Sequence, residues 1–243
     1  RASWEDSMLH VQNMVLDNCL STIKHETIYY PNKIKQIVGR LNTQNLSEEE
    51  ERENVEAISE LIEYYKGIFT ILSSCAARQL EEVTFRRSTI SVADLCEYAV
   101  KYFRKASKGK TSRIEFLTEP IEKRIIGDIN QLRFLLENLI DEALTVHEDG
   151  ILKLHAAEDG NYIRFLFTDT RREKSVDELN KLFYPNLARM TSGEKGELRG
   201  TEYLICKQII RDHDEFAGRR GCRINAEPAQ KGGFTVYFTL PKR

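Results

Sequence analysis

The sequence predicts an α+β protein, a long antiparallel helical hairpin followed by an α/β sandwich. Three observations lead there. Apolar residues recur at alternating spacings of four and three through the N-terminal third of the chain. That periodicity stops around Gln79 to Arg87. Beyond it, stretches of helical period alternate with short runs of period two.

The first helix covers residues 4 to about 41. Its apolar stripe is Leu16, Leu20, Ile23, Thr27, Tyr30, Ile34, Ile37 and Leu41, the seam of a coiled coil or helix bundle. Pro31 lies inside it and is expected to kink it, because the ring removes a donor and collides with the carbonyl of Thr27. Residues 42–47 read as a turn. Ser47 is placed to N-cap the acidic run Glu48 to Glu51, whose charge suits the start of a helix. The second helix carries Val55, Ile58, Ile62, Tyr65, Phe69 and Leu72, and a second line of Leu61, Ile68 and Cys75. Two apolar lines are more than one hairpin can bury. A homodimer whose two hairpins form a four-helix bundle would bury both, and packing on the C-terminal part is the alternative. The domains then read 1–82 and 83–243.

In the second part, Ser91 caps a helix with Leu95, Ala99, Val100 and Phe103 on its apolar face, and Ile114–Leu117 and Arg124–Ile126 read as strands. Asp128 opens a helix with Leu132, Leu135, Leu136, Leu139, Ile140 and Ala143 on one face. Gly150–His155 and Tyr162–Thr168 form a strand hairpin around the turn Glu158-Asp159-Gly160-Asn161. A short helix covers Val176–Phe183, residues 184–199 form a loop, and a helix runs from about Thr201 to Arg211. Two strands, near Cys222–Asn225 and Phe234–Leu240, close the chain.

Composition bounds the function. The 243 residues suffice for two modest domains, and 41% hydrophobic with 30% charged residues describes a soluble globular protein. Lys and Arg number 36 against 38 Asp and Glu, a net charge of −2, so there is no electrostatic case for nucleic acid. Two basic clusters, Arg104 to Arg113 and Arg219 to Arg223, read as solvated surface. Five cysteines without CxxC spacing fit a reducing cytoplasm rather than a disulfide framework or zinc site. The chain starts at Arg1 and reads as a piece of a longer protein, with any membrane or sensor segment upstream.

His25-Glu26 is the pair with chemical promise. At about 100° per residue, His25 points roughly 200° away from the seam residue Ile23. An imidazole facing water beside a carboxylate can accept or donate a phosphoryl group.

The chain resembles the catalytic core of bacterial sensor histidine kinases over nearly its whole length. The family joins a helical-hairpin dimerisation and phosphotransfer domain to a Bergerat-type ATP-binding domain. His25-Glu26 is similar to the start of the family's H-box, His-Glu-x-x-Thr-Pro, with Pro31 one residue late and Tyr29 where the family often has Thr or Asn. The resemblance implies that His25 accepts phosphate and Glu26 is the general base. Gln131 to Ala143 resembles the N-box, with Asn138 at the first family Asn and Glu142 at the second. These two would ligate magnesium. Asp169-Thr170-Arg171-Arg172-Glu173 resembles the first glycine box, Asp-x-Gly-x-Gly. It implies that Asp169 binds adenine, and it puts Arg171 and Glu173 in place of glycines. Leu179, Leu182, Phe183 and Pro185 match the following helix and F-box. Leu198 to Lys207 resembles the second glycine box and keeps only Gly200, with Leu198 and Glu202 replacing glycines.

The implied cofactors are ATP and Mg2+, with Asn138, Glu142, Asp169, Arg171 and Gly200 as their binding residues. The implied partners are a second copy of the chain and a response-regulator receiver domain. Glycines in such loops let backbone amides approach phosphate, and side chains obstruct that approach. Three readings therefore stand. The first is a histidine-kinase-like transmitter passing phosphate through His25 to a response regulator. The second is a pseudokinase or scaffold with lost or weakened ATP binding. The third is a phosphotransferase that receives phosphate from another protein.

Overall fold

A computed structural model describes residues 2–76, 85–186 and 200–243, for 2–3, 20–28 and 66–76 as helical backbone only. Contacts divide the chain into two compact units. One comprises residues 1–12, 81–184 and 202–243, and the other 13–80 and 185–201. The expected domain boundary at 82 falls in 77–84, outside the described residues.

The second unit is built on a helix pair, α1 (Ala2–Thr43) and α2 (Glu48–Ala76). α1 continues through Pro31. Ser47 begins α2 with a reciprocal cap. Its amide and hydroxyl donate to Glu50 Oε2 at 2.8 and 2.9 Å, and the Glu50 amide donates back to Ser47 Oγ at 3.3 Å. The rings of Tyr30 and Tyr64 lie 4.5 Å apart and join the two helices. Leu16 and Ile37 of the predicted stripe are buried, whereas Tyr29, Val38, Val55 and Ile62 are exposed. Leu61 is half-buried. Ile58 and Tyr65 of α2 are half-buried as well, so the pairing with α1 leaves Val55 and Ile62 in water.

The other unit holds the sheet. Its strands are β1 (Ser88–Ser91), β2 (Ile114–Glu119), β3 (Arg124–Gly127), β4 (Gly150–Asp159), β5 (Tyr162–Asp169), β6 (Ile224–Pro228) and β7 (Phe234–Pro241). Its helices are α3 (Val92–Ala106), α4 (Ile129–Ala143), α5 (Val176–Lys181) and α6 (Glu202–Phe216). A five-stranded mixed sheet runs β2-β4-β5-β7-β6, with β2 parallel to β4 and the other neighbours antiparallel. β1 and β3 form a separate antiparallel pair. Period two puts Leu152, Leu154 and Ala156 of β4, Ile163, Phe165 and Phe167 of β5, and Val236, Phe238 and Leu240 of β7 inside. Against them the apolar helix faces bury Leu95, Ala99 and Phe103 of α3, Leu132, Leu135 and Leu139 of α4, and Cys206 and Ile209 of α6. Phe165 and Phe238 stack across β5 and β7 at 5.0 Å.

The predicted caps are in place. Ser91 Oγ accepts from the Asp94 amide at 3.3 Å, and Asp128 Oδ1 accepts from the amides of Asn130 at 2.9 Å and Gln131 at 3.3 Å. Ser91→Ala is expected to cost about 1 kcal/mol of stability, a loss urea titration would resolve. Two elements differ from expectation. β1 escaped notice because four residues, two of them serine, pair with a strand 39 positions away in register, Ser88 with Gly127. α6 runs on to Phe216 through the polar stretch Arg211 to Glu215, because His213 turns inward and is fully buried.

Candidate nucleotide site

Asp169 is the last inward position of β5, following Ile163, Phe165 and Phe167 at spacing two, and this buries its carboxylate. Backbone contact continues past the strand. The Thr170 amide donates to Ile151 O at 3.1 Å, and Thr170 Oγ1 accepts from the Ile151 amide at 3.1 Å. Thr170 is thus pinned to β4. On the other side the chain at Gly233, with φ +78, passes so close that a Cβ there would lie 1.9 Å from the Asp169 carbonyl oxygen. Only glycine fits.

With Thr170 fixed, Arg171 turns inward. Its amide and Nε donate to Asp169 Oδ1 at 3.0 and 2.9 Å, and one Nη donates to Oδ2 at 2.9 Å. The same Nη donates to Ala143 O at 2.6 Å, and the other to Val146 O at 3.2 Å and Glu148 O at 3.3 Å. All five guanidinium N–H groups are therefore used. The Arg171 side chain is 1% exposed and that of Asp169 2%. A cation at the carbonyl end of α4 also complements the helix dipole.

Asn138 and Glu142 share one face of α4, at i and i+4, and both are buried. Asn138 Nδ2 donates to Phe134 O at 2.8 Å within its own helix. Glu142 Oε1 lies 3.6 Å from Arg172 Nη2, which also donates to the Glu142 carbonyl at 3.3 Å. Arg172 Nε stands 3.9 Å from Asp169 Oδ2, and its guanidinium lies 6.0 Å from the centre of the Phe234 ring. Arg172 was not among the candidates taken from sequence. The available signal was the adjacency of two arginines directly after the acid.

Four candidates, Asn138, Glu142, Asp169 and Arg171, thus lie in one unit, and Arg172 links Glu142 to Asp169. Gly200 keeps a left-handed backbone, φ +73, but belongs to the other unit, beside residues 187–199, which lie outside the described residues. His25 and Glu26 lie within α1, and their side chains are outside the described residues. Among the described residues no group of His, Cys, Asp and Glu is arranged to hold a metal ion. No described helix is long and apolar enough to cross a membrane.

Residues 127–243 match the family of histidine kinase-, DNA gyrase B-, and HSP90-like ATPases. The signal transduction histidine-protein kinase BaeS of Escherichia coli K12 is 25% identical over 163 residues, 65% of this chain and 33% of that protein. The chain thus spans about a third of the length of that relative. Among solved structures, the catalytic domain of histidine kinase ThkA matches 65% of this chain and 96% of its own, with TM-score 0.51 and 19% identity. The structure of ThkA in complex with response regulator protein TrrA matches 98% of this chain and 65% of that one, with TM-score 0.53 and 18% identity.

Fold and sequence together make residues 127–243 a histidine kinase-, DNA gyrase B-, and HSP90-like ATPase domain. Within that class, the curated relatives this chain is similar to are sensor histidine kinases.

The family is one of ATPases, but the residues present do not fit ATP and Mg2+ in the family's manner. A base amine would have to displace a guanidinium that satisfies both oxygens of Asp169. A metal at Glu142 would meet the Arg172 guanidinium, 3.6 Å from Oε1.

Proposed function

We propose that this chain is a two-component transmitter module that carries phosphate on His25 and passes it to an aspartate of a response-regulator receiver domain. The observation that carries this reading is the order of parts in one chain. A helix pair bearing His25-Glu26 precedes an ATPase-fold domain of the histidine kinase class. In this reading residues 1–82 form the dimerisation and phosphotransfer hairpin and 83–243 the ATPase-like domain. The exposed apolar residues Val38, Val55 and Ile62 support pairing with a second hairpin into a four-helix bundle.

The chemistry needs only the chain's own pair. An imidazole nitrogen of His25 attacks phosphorus, a P–N bond forms as the donor's bond to phosphorus breaks, and Glu26 takes the imidazole proton. A receiver carboxylate then attacks the same phosphorus, and the P–N bond breaks. The hold of Arg171 and Arg172 on Asp169 and Glu142 favours a phosphoryl donor outside this chain. Incubation with phosphoramidate, a P–N donor, is expected to give acid-labile, alkali-stable label on the wild type and to lose it in His25→Gln. Equal labelling of the two proteins would place the acceptor elsewhere.

A further inference from the structure

We infer that the ATPase-fold domain is self-liganded, with Arg171 taking the base's place at Asp169 and Arg172 the metal's place beside Glu142. This rests on the reading of Asp169 and Glu142 as the positions that meet base and metal in the family.

Three features separate this arrangement from a chance ion pair. First, Arg171 makes a planar fork to both oxygens of Asp169 while its three remaining N–H groups reach the carbonyls of Ala143, Val146 and Glu148. A side chain with every donor satisfied at 1% exposure has no polar group left to gain by turning outward. Second, the path of the side chain is built into the fold. A Cβ at Gly150 would lie 2.4 Å from Arg171 Cγ, so the glycine opening β4 admits the arginine stem. Third, the two carboxylates that would meet base and metal are met by consecutive residues of one loop, and Thr170 fixes that loop to β4. Charge is balanced without a ligand. A bound metal would bring its own positive charge to a carboxylate already facing a cation.

The consequence is a domain whose closed site does not depend on nucleotide. Calorimetry and thermal melting of the full chain with millimolar Mg-ATP or Mg-ADP test it. The wild type is expected to give no binding heat and no rise in melting temperature. The double variant Arg171→Gly, Arg172→Ala, which removes both arginines, is expected to melt lower and to gain a nucleotide-dependent rise that Asp169→Asn removes. Binding by the wild type, lost in Asp169→Asn, overturns self-liganding and leaves the nucleotide-site reading intact. Absence of binding in the folded double variant overturns the nucleotide-site reading itself, and self-liganding with it. Should the double variant fail to fold, the wild type decides alone by NMR. The Arg171 Nε–H is expected to exchange slowly and to be unmoved by Mg-ATP, and a nucleotide-induced shift or loss of its protection refutes the inference.

Discussion

Arg171→Met is expected to lower the stability of the protein by about 3–5 kcal/mol, the cost of removing one partner of a fully buried ion pair. The two side chains are 1% and 2% exposed. Methionine fills much of the arginine stem's volume, so the loss is electrostatic rather than a cavity. It leaves the Asp169 carboxylate in the protein interior without its fork. It also leaves the carbonyls of Ala143, Val146 and Glu148 short of their donor. The double variant Asp169→Leu, Arg171→Met removes both charges and is expected to recover most of the loss, since burying a matched pair offsets much of its own desolvation cost. The single tryptophan, Trp4, lies edge-on to Phe134 of α4 at 6.2 Å, so its fluorescence in urea reads the unfolding of this unit. A cost below about 1 kcal/mol for Arg171→Met would mean that the pair is solvated, as surface pairs are.

The second large effect is a dependence on pH. His213 is fully buried on α6. Its Nε2 accepts the Asp128 amide at 3.1 Å, which leaves the proton on Nδ1 to be donated to Ile209 O at 2.7 Å. Phe85 sits edge-on at 4.9 Å. Burial pushes the imidazole down to about 4, against the pull of the Ile209 carbonyl and the Asp128 carboxylate. The unfolded chain, with its histidine near 6.5, therefore binds more protons than the native state between these values. Stability present above pH 6.5 is lost as pH falls through that window, by about 3 kcal/mol when complete. Burial raises the neighbouring Asp212 carboxyl, as it does those of Glu137 and Asp141, and these contribute with the opposite sign. The measurement is therefore a difference. His213→Gln should be less stable than the wild type at pH 7, and the gap should close toward pH 4. Parallel curves would show that His213 is not the titrating group.

Much of the fold was legible because it rests on local rules. Period three-and-four defined the helix pair, and Ser47, Ser91 and Asp128 marked helix starts that the structure places within a residue. Period two defined β4, β5 and β7. The four-residue β1 was not legible, since its only support is a distant partner. The inward turn of His213 was not legible either, because a buried polar residue among charged neighbours has no periodic signature.

For the candidate site, the sequence offered, through its resemblance to the family, Asn138, Glu142, Asp169 and Arg171 as candidate ligand positions, with Arg171 and Glu173 in place of glycines. It did not determine where Arg171 goes. From the sequence, the same guanidinium could reach outward to a phosphate or inward to Asp169. The tertiary structure decides for the inward course. β4 pins Thr170, Gly150 leaves room for the stem, and α4 ends with carbonyls short of donors. These groups come from three separate stretches of chain, and only folding brings them around one carboxylate.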